Sequence, residues 1–235
     1  MTRASDTART LSGGAVFNEG SNDVDFRVES NGNANMLFVD GGTDAVIIGH
    51  SASRQTLFNT NGTAALQVEG TSANTAAVSI ARNSNDDNGP QLVLAKSNGT
   101  SGAAVTVVTD DALLGRISFQ GADGSQTVEA ARIEGFVDGT PGANDMPGRL
   151  TFSTTADGAS TTTERVHILP SGNVLVGTTD ASPAEGTNVG VRLGGNGTFQ
   201  FSSSGDAGVQ VNRTSDDGNL MRFFRDGSAK AQIAS

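Results

Sequence analysis

Short apolar–polar–apolar stretches, separated by Gly, Asn and Asp, recur from one end of the chain to the other. One copy runs Phe38-Val39 through Gly41-Gly42 into Val46-Ile47-Ile48-Gly49, and another runs His167-Ile168 through Ser171-Gly172-Asn173 into Val174-Leu175-Val176-Gly177. Looser copies join Leu57-Phe58 to Leu66-Gln67-Val68, Val191-Arg192-Leu193 to Phe199-Gln200-Phe201, and Phe223-Phe224 to Ala231-Gln232-Ile233. A period of two places successive side chains on opposite faces of a strand, while Asn-Gly and Asp-Gly pairs accept the positive φ of tight hairpins. Phe26-Arg27-Val28-Glu29 has this alternation, and turn pairs begin at Asn31, Asn61, Asn98, Asp123, Asp157, Asn196 and Asp226. The pattern predicts an all-β chain. Helical spacing is not sustained over three turns anywhere, and Val128 to Ile133 reads equally as helix or strand.

Two longer repeats reinforce this reading. Ala76-Ala77-Val78-Ser79-Ile80-Ala81-Arg82-Asn83-Ser84 matches Ala207-Gly208-Val209-Gln210-Val211-Asn212-Arg213-Thr214-Ser215, and an Asp pair and Gly follow each copy. Gly115-Arg116-Ile117-Ser118-Phe119 matches Gly148-Arg149-Leu150-Thr151-Phe152, suggesting duplicated hairpins around an exposed loop, Asp138 to Pro147. Short strands with one apolar face leave open edges and a half-covered face, so such repeats must stack along the chain or across chains. Their uneven spacing favours intertwined chains over a single-chain solenoid.

Composition narrows the function classes. Hydrophobic residues are 35% of the 235, Trp and Tyr are absent, and 31 residues are Gly, which brings no side chain to a core. A slender rod fits this thin core material better than a globule. The net charge of −10 argues against a nucleic-acid partner, which needs clustered Lys and Arg, and against an anionic membrane face. The longest apolar runs are far too short to span a bilayer, so no membrane insertion is expected. Without Cys, disulfides play no part.

The stretches Phe26 to Ser30, Leu37 to Gly42 and Gly148 to Gly158 resemble the fibre proteins of tailed bacteriophages, especially marine ones, as does Glu164-Arg165-Val166-His167-Ile168-Leu169-Pro170-Ser171-Gly172-Asn173-Val174-Leu175-Val176-Gly177. The resemblance covers roughly Phe17 to the C-terminus. It implies an elongated, intertwined homotrimeric β-fibre of β-prism, triple β-helix and short sheet modules, sited on the virion as a tail fibre and used for adhesion to the host. Residues 1–14, with Met1, Arg3, Asp6 and Arg9, would dock on other virion tail proteins. Shaft modules would follow at 15–70, 71–110, 111–170 (the duplicated hairpins with their loop) and 171–235. The loop residues Asp138, Asn144 and Asp145 would offer contacts to a host cell-surface receptor, polysaccharide or protein. Related fibres often lead into a self-cleaving chaperone domain at about the place of Ala231 to Ser235, and the resemblance implies either that such a domain has been removed or that this is a shorter fibre that trimerises unaided. A capsid-borne fibre or tail-hub spike built from the same modules is the alternative.

No metalloprotease, nucleophile-elbow or phosphate-loop motif is present, and no cofactor is expected. The enzymatic option left is a carboxylate-pair polysaccharide depolymerase using Asp110, Asp111, Glu129, Glu134 or Asp138. Carbohydrate sites usually want Trp or Tyr platforms, which weighs against it. His50 and His167 read as solvated or interchain hydrogen-bonding groups, with alternation turning His167 from the apolar face. Asp86-Asp87-Asn88-Gly89 and Asp216-Asp217-Gly218-Asn219 resemble fragments of calcium loops but read first as Asx-type turns. The strand arginines, Arg27, Arg82, Arg116, Arg132, Arg149, Arg165 and Arg192 among them, either pair with carboxylates of a neighbouring chain or form a solvated face.

Overall fold

The computed structural model describes residues 23, 25–53, 64–102, 104–205, 208–212, 214, 217–226 and 228–234. The proposed docking residues Met1, Arg3, Asp6 and Arg9 lie outside them, as do Leu57, Phe58, Asn61, Arg213 and Asp216. Among the described residues the chain is all-β, relieved by one 3-10 turn, Pro183–Glu185. It groups into two units, residues 1–93 with 119–130, and residues 94–118 with 131–235.

The first unit holds a four-stranded sheet of β1 (Phe26–Val28), β2 (Leu37–Asp40), β3 (Ala45–Ile48) and β4 (Leu66–Val68), in that order. The recurring hairpin read from the sequence is β2–β3, where the Asp40 carboxylate accepts bonds from the amides of Gly42 and Thr43 and closes the turn. β4 then pairs parallel to β3. Gly49 makes that junction possible: its φ is +93°, and a Cβ there would overlap the Glu69 carbonyl oxygen. The core of this sheet is small, formed by Phe38, Ala45 and Ile47, with Gln67 buried in register beside Ile47.

A seven-stranded antiparallel meander follows. It consists of β5 (Leu113–Ala122), β6 (Thr127–Val137), β7 (Gly148–Thr155), β8 (Thr162–Ile168), β9 (Val174–Val176), β10 (Gly190–Leu193) and β11 (Phe199–Ser202), with β5 and β11 at its edges. The duplicated hairpins are therefore β5–β6 and β7–β8, and Val128 to Ile133 resolves as strand. Asp123 caps the first turn by accepting from the amides of Ser125 and Gln126, bonds that hold its carboxyl below the ordinary carboxylate range. The 3-10 turn packs on β10 and β11 and buries Pro183. A separate ribbon pairs β12 (Asn219–Arg225) with β13 (Ser228–Ala234).

The long repeat behaves differently from the hairpins. Residues 77–84 and 208–212 carry strand-type alternation, yet neither forms a strand.

Candidate interaction surface

Directly paired residues share a face of a sheet, so the register shows what each face presents. In the second unit one row reads Ile133, Phe152, Val166, Val176, Val191, Phe201 across six strands. The neighbouring row reads Leu150, Ile168, Val174, Leu193, Phe199 across five. Every side chain in both rows is apolar, and none is buried. Phe199 is 57% exposed, Leu193 48% and Val176 42%. Six strands at about 4.8 Å spacing give these rows a width of roughly 24 Å. A continuous apolar surface of this extent marks an interaction site.

The opposite face inverts the usual arrangement. Its central row is Glu134, Thr151, His167, Leu175, Arg192, Gln200, and the first four are buried. Arg116 Nε donates to Glu134 Oε1 at 2.7 Å. Arg132 Nε approaches Glu134 Oε2 at 2.6 Å, as an ion pair whose angle falls short of a hydrogen bond. Two guanidiniums thus neutralise a carboxylate with no exposed surface. The charged groups occupy the covered face and the oily groups face solvent.

His167 does turn from the apolar face, as its alternation predicts, but it is buried rather than solvated. Glu164 lies 2.8 Å from its Nε2. Strict alternation would put Glu164 beside Val166 on the opposite side. A bulge intervenes: β7 pairs Phe152 with Val166 but Ser153 with Glu164, leaving Arg165 over and returning Glu164 to the His167 face. Arg165 Nε instead donates to Thr154 Oγ1 at 3.1 Å. Most of the arginines read as strand residues find their carboxylates within the chain: Arg27 pairs with Glu29, Arg82, which lies outside any strand, with Asp86, and Arg149 with Asp111 and Asp138.

The loop from Asp138 to Pro147 is more ordered than its composition suggests. The Asp138 amide donates to the Pro147 carbonyl, and Gly142 and Asp145 exchange backbone bonds around Asn144, whose φ is +56°. Asn144 and Asp145 are exposed at the tip, while Asp138 is engaged by Arg149 at the base. Burial alone would draw the Arg149 guanidinium down, yet the hydrogen bonds it donates to Asp111 and Asp138, and their charges, hold it above its usual range. Arg149 also lies 4.7 Å over the Phe136 ring.

Of the candidate depolymerase carboxylates three gather at one place, where Asp111 and Asp138 share Arg149 and Asp110 accepts from the Gly139 amide at 2.7 Å, while Glu134 sits apart between its two arginines. Glu129 belongs to the other unit. Asp86 makes an Asx turn by accepting from the Asn88 amide, which holds its carboxyl below the ordinary range. His50 Nδ1 accepts from the Ala52 amide. Among the described residues no group of three or more His, Asp or Glu is placed to hold a metal ion, and no helix is long and apolar enough to cross a membrane. A mostly apolar cleft of about 540 Å³ in the first unit is lined by Met36, Ile48, Val68 and Val78, among others. A more polar one of about 520 Å³ in the second unit is lined by Glu164, His167, Thr178 and Asn188, among others. The sequence singled out neither cleft, because both depend on loops returning to the sheets.

The site is thus the exposed apolar face of an open all-β sheet. Among solved structures the chain is similar to the carboxy-terminal domain of the bacteriophage T5 L-shaped tail fibre, at 18% identity and a TM-score of 0.34, over 46% of this chain and 40% of that one. No family model and no curated protein matches the chain.

Proposed function

We propose that this chain is a non-enzymatic structural protein of a phage virion, a tail-fibre component that acts as a homotrimer in host attachment. The single observation that carries the reading is the pair of apolar rows exposed on the seven-stranded sheet. Covering a Val, Leu, Ile or Phe side chain contributes about 1.5–3 kcal/mol, and three copies meeting on this face would cover the rows at once. The sequence resemblance to fibre shafts supports copies of the same chain as the cover, in a prism-like or intertwined arrangement. Residues 1–14 (Met1, Arg3, Asp6, Arg9) dock on other virion tail proteins in this reading. The exposed tip at Asn144 and Asp145, with Asp138 at its base, offers contacts to a host-surface receptor. The module boundaries at 15–70, 71–110, 111–170 and 171–235 belong to the same proposal.

Negative-stain micrographs of the purified protein test it. Thin rods of uniform length are expected; rounded particles the size of one chain would overturn it.

A further inference from the structure

The long internal repeat is the feature that the apolar face does not absorb. Val78 and Ile80 in the first copy, and Val209 and Val211 in the second, are 73%, 53%, 46% and 48% exposed. Among the described residues, neither 77–83 nor 208–212 makes a backbone hydrogen bond to any other stretch. Backbone N–H and C=O groups are obligatory hydrogen-bonding groups, and a β-branched alternating segment meets that need by adding to a sheet. Two copies of one motif share the same unmet pairing, which points to a recurrent device.

After the first copy and its Asp turn, the chain reaches Leu94, which lies so close to β5 that a Cβ on Gly115 would overlap it. Gly115 shares its face with the apolar rows, because Arg116 beside it points to Glu134 on the other side. The described part of the second copy begins at Gly208, which lies against the Phe201 ring on β11 with no room for a Cβ. β5 and β11 are the two edges of the sheet. The second copy therefore runs on from an edge of the surface proposed above as the interface between copies. In the first copy Arg82 pairs with Asp86 within the chain.

We infer that residues 77–82 and 208–212 are interchain strands, whose backbone groups pair with a neighbouring copy of this same chain rather than within one chain. The inference rests on the trimer reading and adds which segments exchange hydrogen bonds.

Amide hydrogen exchange, read at peptide resolution on the full chain with its mass measured in parallel, is the test. In the assembled protein the amides of 78–82 and 209–212 are expected to exchange at least 100-fold more slowly than an unprotected chain. Val191→Glu, on the apolar face, or dilution of the wild type until its mass is that of one chain, should return both segments to the unprotected rate. Unprotected exchange in an assembly of intact mass would overturn this inference and leave the trimer standing. Slow exchange that persists in single chains would overturn it too, by showing intrachain pairing. A wild-type protein that never exceeds one chain in mass would remove the trimer reading, and this inference with it.

Discussion

Glu164 and His167 meet at 2.8 Å because one extra residue, Arg165, bulges from β8 between them. The contact lies on the covered face of the sheet, where His167 is 7% exposed. Replacing Glu164 with Ala removes the partner of a buried ring nitrogen and should lower stability by about 1 kcal/mol. Denaturant melts of the variant against wild type check this; an unchanged midpoint would mean that the pair is not formed.

The Glu134 carboxylate is fully covered and depends on Arg116 and Arg132. Removing both arginines strands a buried charge, an effect of roughly 3–5 kcal/mol. The Arg116→Ala/Arg132→Ala variant should therefore melt well below Glu134→Gln, which keeps the shape and discards the charge. Thermal melts of both variants provide the comparison, and equal midpoints would contradict the clamp.

Gly49→Ala should loosen the β3–β4 junction. The backbone there has φ +93° and the Glu69 carbonyl fills the space a methyl group needs. Strain of this kind costs about 1–3 kcal/mol. Faster amide exchange at Glu69, whose amide donates to Ile48, would report it.

Asp180 accepts from the Asn188 side chain at 2.9 Å and from the Ser182 amide at 2.8 Å, and these bonds hold its carboxyl below its ordinary value of 3.8. A depressed folded value means that the contribution is present above the ordinary carboxylate range and is lost as pH falls through the depressed value. Carboxyl NMR titration should find Asp180 below 3.8 in the wild type and closer to 3.8 in Asn188→Ala. Identical titrations in the two proteins would refute the role of Asn188.

Much of the fold is written in local pattern. The hairpins β2–β3, β8–β9, β10–β11 and β12–β13 follow from two apolar triplets around a Gly, Asn or Asp turn, information held within about fifteen residues. The duplicated β5–β6 and β7–β8 hairpins are legible for the same reason. The covered polar face is not. Alternation shows that Thr151 and His167 share a side, but which side is covered depends on distant loops, such as the one carrying Pro183. The bulge at Arg165 has no marker in composition, so Glu164 reads as belonging to the wrong face. The arginines divide along the same line: their recurrence in strands is visible, whereas their carboxylates lie up to 38 residues away, as Asp111 does from Arg149. The repeat at 76–84 and 207–215 is plain in sequence, yet residues 77–84 and 208–212 form no strand.

Coverage of the rows through Val191 and Leu193 by sister chains is what the proposed trimer requires. Light scattering on the eluting protein measures this most directly. The wild type should elute at three times 23.8 kDa, and Val191→Glu should shift toward a single chain. A wild-type mass of 23.8 kDa at micromolar concentration would contradict it.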